Sequence, residues 1–240
     1  MSSTDNGDRE RIDALIANMS YARELMRFHL VFRGLLPSAG NKPKPSYAAH
    51  IRKKLHPQLR ELWRTHHVMK RVARTGIVKR DDGAAYLATS EGPFDVERDI
   101  DRFPAGPNEV DLTGPIISGG HSFRPLVRES LQLNCSLSVT FLRHDDPLQG
   151  VTQNGDLDGR IKCLLDALTM PKPEIAVRFP PQSEPMYCLM ESDALISDLE
   201  IETGRLLSPG DRHKHEVQLI IEVAVNVLRV GPWNLPLLGN

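Results

Sequence analysis

The residues best suited to chemistry sit in one short run, "GDLDGRIKCLLDALT", Gly155 to Thr169. Asp156 and Asp158 stand one residue apart, Lys162 follows Asp158 by four positions, and Asp166 follows Lys162 by four. Two uncompensated carboxylates so close together repel unless a cation lies between them. A few carboxylate oxygens, with water completing the shell, are the ligands Mg2+ favours. A capped helix with a surface ion pair explains the same spacing without any ion, so spacing alone leaves both readings open.

Ile161, Leu164, Leu165 and Leu168 recur at i, i+3, i+4 and i+7, which predicts a helix from about Gly159 to Thr169 with Asp158 at or near its N-cap. An extended Gly155 to Asp158 would turn Asp156 and Asp158 to the same side. Along the helix, Asp158, Lys162 and Asp166 fall one turn apart on one face.

The formal net charge of -1 conceals an uneven distribution. Between Arg27 and Arg80 there are fourteen Lys and Arg against a single acid, Glu61, so this segment carries +13. That asymmetry points to a polyanionic partner. Inside it, "SYAAHIRKKLHPQLRELWRTHH" places Ile51, Leu55, Leu59 and Leu62 on one stripe of an amphipathic helix. Arg52, Lys53, Arg60 and Arg64 fall largely off the stripe, and Pro57 is expected to split or kink the helix. A solvated basic face is the plain alternative.

Composition excludes several classes. At 40% hydrophobic and 25% charged residues, the chain has an ordinary globular balance with enough length for a sizeable core. Its longest apolar runs, such as Leu219 to Ile221, fall far short of the roughly 20 residues that span a bilayer. The opening "MSSTDNGDRE" has neither the apolar stretch of a signal peptide nor the arginines of a transit peptide, so a cytoplasmic protein is expected. Cys135, Cys163 and Cys188 are widely spaced with no CxxC pair, which argues for core residues rather than disulfides or zinc. His66 and His67 are adjacent and make a poor metal pair, while His213 and His215 flank Lys214 and read as surface. An aromatic content of 5% disfavours single-strand binding by extensive base stacking.

The remaining elements read coarsely. A polar leader with a short helix, Arg11 to Met26, precedes a strand at "FHLVFRG" and a loop at "LPSAGNKPKP". Residues 81–120 are acidic and rich in Gly and Pro, an insertion or long loop. "LQLNCSLSVTFLR" alternates Leu131, Leu133, Cys135, Leu137, Val139 and Phe141 against polar residues, as a strand does. "MPKPEIAVRFPPQSEP" is too rich in proline for a long regular element. Val217, Leu219, Ile221, Val223 and Val225 alternate in a closing strand. These patterns predict an α+β fold, a mixed β-sheet from Phe28 to Arg33, Leu131 to Arg143, Leu199 to Leu206 and Glu216 to Val227, with the helix at Arg160 to Thr169 packed on it.

"GDLDGRIKCLLDALT", followed downstream by "ESDALISDLEIET", resembles the motif pair of RusA-like Holliday junction resolvases, D-x-D-N-x-x-K-x-x-L-D-A-L and then D-D-x-x-I. "FRGLLPSAGNK" is similar to the first strand and loop of that family. The resemblance implies that Asp156, Asp158 and Asp193 hold the metal and that Lys162 is the essential lysine. Asp166 matches a family aspartate to which no role is given. It implies a RusA-like nuclease domain over residues 27–230, enlarged between its blocks and by the insertion at about 81–120, with a leader over 1–26 and a tail over 231–240. Gly159 stands where the family has asparagine, and Ser192 replaces the first aspartate of the acidic pair.

The resemblance implies a Mg2+-dependent (or Mn2+-dependent) endonuclease that resolves branched DNA, four-way junctions among them. A junction has near two-fold symmetry and needs two cuts, which a homodimer with two sites supplies. The basic segment, with Lys42, Lys44, Arg52, Lys53, Lys54, Arg60, Arg64, Lys70 and Arg71, is expected to grip the phosphate backbone. Two other readings stand beside it: a non-catalytic DNA-binding relative, and an interaction module that uses the acidic insertion.

Overall fold

Alternation of apolar residues in three long segments builds the centre of the molecule. The structure is a computed structural model that describes residues 23–36, 45–72, 75–79, 85–89, 109–110, 114–144, 157–207 and 216–228. Strands β1 (Arg23–Leu35), β7 (Leu133–Arg143), β9 (Ile196–Arg205) and β10 (Glu216–Val227) form one sheet in the order β1-β10-β7-β9. β10 runs antiparallel to both neighbours, and β7 pairs in parallel with β9. The fold is therefore α+β with a mixed sheet. Register aligns Leu30, Ile221, Val139 and Ile201 across the four strands, and Phe32, Leu219 and Phe141 across three. All but Ile201 are fully buried, so one face of the sheet makes the core.

β1 starts at Arg23, inside the expected leader. The helix expected over Arg11 to Met26 thus ends on residues that are strand, and residues 1–22 lie outside those described. Leu131 is not in β7, although its alternation matches. It closes a 3-10 turn, Glu129–Leu131, and Gln132 follows in the left-handed region at φ 53°, so the strand begins one residue later.

Helix α1 (Pro45–Thr65) carries the predicted stripe: Ile51, Leu55 and Leu59 are buried. At the next turn Trp63 takes the inward place rather than Leu62, as a spacing of four allows. Pro57 neither splits nor ends the helix. It sits on the exposed side, where the carbonyl deprived of a donor can be met by water. A short helix α2 (His67–Val72) follows. The rings of His66 and His67 stack, and the His66 Nδ1 accepts a bond from the Val68 N–H.

The segment expected to be an insertion or long loop holds strands where it is described. β2 (Thr75–Lys79) pairs with β3 (Ala85–Thr89) and β4 (Glu109–Val110) in a small sheet. β5 (Ile116–Ser118) then turns through Gly119 and Gly120, both at positive φ, into β6 (His121–Val127). Such a two-residue turn needs φ above zero at both positions. A Cβ on Gly119 would also lie 2.7 Å from the Pro173 carbonyl oxygen.

Helix α3 (Leu157–Leu168) precedes the four-residue α4 (Pro173–Ala176), and β8 (Met186–Met190) pairs in parallel with β6. The proline-rich stretch between α3 and β8 holds no long element, as its composition requires. α1 and α3 pack on each other, and both contribute to the core cluster that fills the inner face of the large sheet. Cys135, Cys163 and Cys188 are free and buried. Burial pushes the Cys135 and Cys188 thiols up to about 12, so they are inert packing residues. Among the described residues, no helix is long and apolar enough to cross a membrane.

Candidate functional site

The apolar stripe of α3 buries Ile161, Leu164 and Leu168, and this forces the polar stripe outward. Asp158, Lys162 and Asp166 are all exposed on that outer face, one turn apart. The helix begins earlier than its apolar pattern predicts. Leu157 and Asp158 are already helical, so the expected extended run through Asp158 does not form. Asp158 lies in the first turn, where its carboxylate favours the positive end of the helix.

Backbone pairing brings the second block to the first. After α3 the chain bridges in parallel to β8 at Thr169 and Met190, with the Met170 N–H donating to the Met190 carbonyl at 2.9 Å. β8 therefore ends beside the C-terminal turn of α3, and the next turn carries Asp193. Ser192 caps that 3-10 turn, Asp193–Leu195, its hydroxyl accepting the Ala194 N–H at 3.3 Å. Ser192 thus has a local structural use.

A cleft of about 460 Å3 opens between α1, α3 and the connection that follows α3, and Lys162, Asp166 and Asp193 face it together. Burial lifts the Asp166 carboxyl above its usual range; Lys162 pulls it back down, while the charge of Asp193 pushes it up. Arg52 and Lys172 line the same cleft and also favour the ionised form of Asp166. Sequence reasoning left Asp166 without a role and missed Lys172, which belongs to no periodic or motif pattern.

Arg52 requires a correction. It is 3% exposed, so it is not a surface grip for phosphates. Its guanidinium donates to the Asp166 carbonyl oxygen and, at 3.1 Å, to that of Thr169, which satisfies the C-terminal end of α3. It also lies 5.8 Å from the centre of the Phe179 ring. Of the other basic residues expected to meet DNA, Lys53 and Lys54 are exposed on α1. Arg60 pairs with Glu184 at 3.3 Å, and Arg64 with Glu61 at 2.9 Å. Lys70 and Arg71 lie in α2, but their side chains, like Lys42, Lys44 and Asp156 altogether, fall outside the described residues.

Among the described residues, no three His, Cys, Asp or Glu side chains are grouped so as to hold a metal ion. Asp158 is not on the cleft lining that Asp193 shares with Asp166. Mg2+ keeps several waters and needs only one or two protein carboxylates. Asp166 and Asp193 supply two oxygen donors whose like charges oppose one another, a repulsion that a divalent cation relieves. The donor chemistry fits Mg2+.

Compared with known protein families, curated proteins and solved structures, the chain shows no match.

Proposed function

We propose that this chain is a Mg2+-dependent, structure-selective DNA endonuclease of RusA-like type, working in the cytoplasm as a homodimer and cutting Holliday or other branched junctions by phosphodiester hydrolysis. The observation that carries this reading is the meeting of Lys162, Asp166 and Asp193 at one cleft, from two segments far apart in the chain. A helix cap explains none of that convergence.

Asp166 and Asp193 are the described carboxylates on the cleft that would hold the ion there; the resemblance adds Asp156, outside the described residues, and Asp158, which is off the cleft lining. Mg2+ in the cleft would polarise a phosphate oxygen and lower the pKa of an attacking water. Lys162, a compact cation on the outer face of α3, holds the scissile phosphate and offsets the charge that grows on it. Lys53 and Lys54 on the exposed side of α1 meet the backbone of the same strand without reading bases.

A non-catalytic DNA-binding relative is the second reading, favoured by the use of Ser192 as a cap where the family has a carboxylate. Incubation with synthetic four-way junctions and duplex controls, with and without Mg2+, separates the two. The nuclease reading expects cleavage of junctions only when Mg2+ is present, with affinity falling steeply as salt rises. Junction binding without cleavage at any Mg2+ concentration would establish the second reading, and absence of both would remove both.

A further inference from the structure

Three cations gather at the cleft, Arg52, Lys162 and Lys172, against two carboxylates, Asp166 and Asp193. Lys162 accounts for one phosphate. Neither lysine is held in an ion pair among the described residues. Lys172 also differs from a solvated surface lysine in how its backbone is held. It stands between Pro171 and Pro173, and a following proline keeps a residue out of the helical region. Its φ of -63° and ψ of 155° match that restriction. The Pro171 carbonyl is tied down by the buried Ser118 hydroxyl, which donates to it at 2.8 Å. Arg52, 3% exposed, lines the same cleft, and its Nε has no partner. An exposed cation on a held backbone and a buried cation lining the same cleft are suited to a small, strongly charged anion.

We propose that Lys172, together with Arg52, forms a second phosphate subsite in the cleft and holds the phosphate next to the one held by Lys162. This rests on the nuclease reading for its source of phosphate, a nucleic-acid strand; a free nucleotide offers the same chemistry.

The test uses the full chain with Lys172→Ala and Lys172→Arg. The Lys172 side chain is exposed, and the bonds its carbonyl accepts from the Ile175 and Ala176 N–H are kept in both variants, so both should melt with the wild type. For a strand phosphate at Lys172, junction affinity measured without Mg2+ falls about tenfold in the alanine variant. The slope of log affinity against log salt shrinks by about one, and arginine recovers most of both losses. Unchanged affinity and salt slope in Lys172→Ala would overturn the proposal. Should the wild type neither bind nor cut junctions, the nuclease reading fails by itself. Calorimetric titration with inorganic pyrophosphate and a deoxynucleoside monophosphate then decides the subsite: binding that Lys172→Ala removes supports it for a free nucleotide, and no heat in the wild type overturns it.

Discussion

Replacing Arg52 by methionine separates its two possible roles, a surface grip on DNA and a buried support for α3. Methionine keeps most of the buried apolar stem but removes the guanidinium, which lies over Phe179 and donates to the Asp166 and Thr169 carbonyls. Hydrogen bonds from a charged donor contribute about 1.5–3 kcal/mol each, so losing two costs roughly 3–6 kcal/mol. Removing a buried charge whose Nε is unpartnered returns about 1–3 kcal/mol of desolvation. Taken at the middle of each range, the net is a loss of about 2.5 kcal/mol. For a chain of this length each kcal/mol moves Tm by about 2–4 °C, which gives a drop of roughly 5–10 °C. Thermal melting followed by far-UV circular dichroism at low and moderate salt is the assay. The drop should persist at both salts, since a buried interaction is poorly screened. A Tm within about 1 °C of wild type, with junction affinity reduced, would refute the support role and return Arg52 to the surface.

Asp158→Asn should abolish Mg2+-dependent cleavage while leaving the fold intact, with junction binding retained or tighter because a negative charge near the phosphate is gone; retained cleavage in a quenched-gel time course would remove Asp158 from the metal site. Asp166→Asn should raise Tm near neutral pH. Burial lifts the folded-state pKa of Asp166, so the wild-type carboxyl favours folding fully only below its unfolded pKa and loses that contribution as pH rises through the folded value. The advantage of the variant should therefore vanish as pH falls below the ordinary aspartate range of about 4, and a pH-independent difference would contradict the assignment. Gln58→Ala should promote self-association, because the Gln58 amide covers the edge of β1 by accepting from the Val31 N–H at 2.9 Å and donating to its carbonyl at 2.8 Å. Size-exclusion chromatography across a concentration series should show larger species for the variant, and identical profiles would mean that the edge is protected by other means.

Much of the frame can be read directly from residue order. Periods of two in β7 and β10 and of about four in α1 and α3 are local consequences of which side must be buried, and the structure follows them nearly residue by residue. Proline content alone ruled out a long element between α3 and β8. The same local rules misplace Leu131, because a left-handed Gln132 can break a strand without disturbing the alternation. They also fail to find the short strands of residues 75–79, 85–89 and 109–110, which are stabilised by pairing between segments rather than by a period of their own.

The site divides in the same way. Helical spacing already puts Asp158, Lys162 and Asp166 on one face of α3, since side-chain direction follows from the helix turn. Only tertiary structure decides that the turn bearing Asp193 lies beside Asp166, because that depends on the parallel bridge from Thr169 to Met190. Tertiary structure likewise decides that Arg52 is buried at the C-terminal end of α3 while its neighbour Lys53 stays exposed. In sequence the two are adjacent basic residues with equal claims on a phosphate. Successive positions on a helix differ in direction by about 100 degrees, and which of them meets another helix is set by packing, not by residue type.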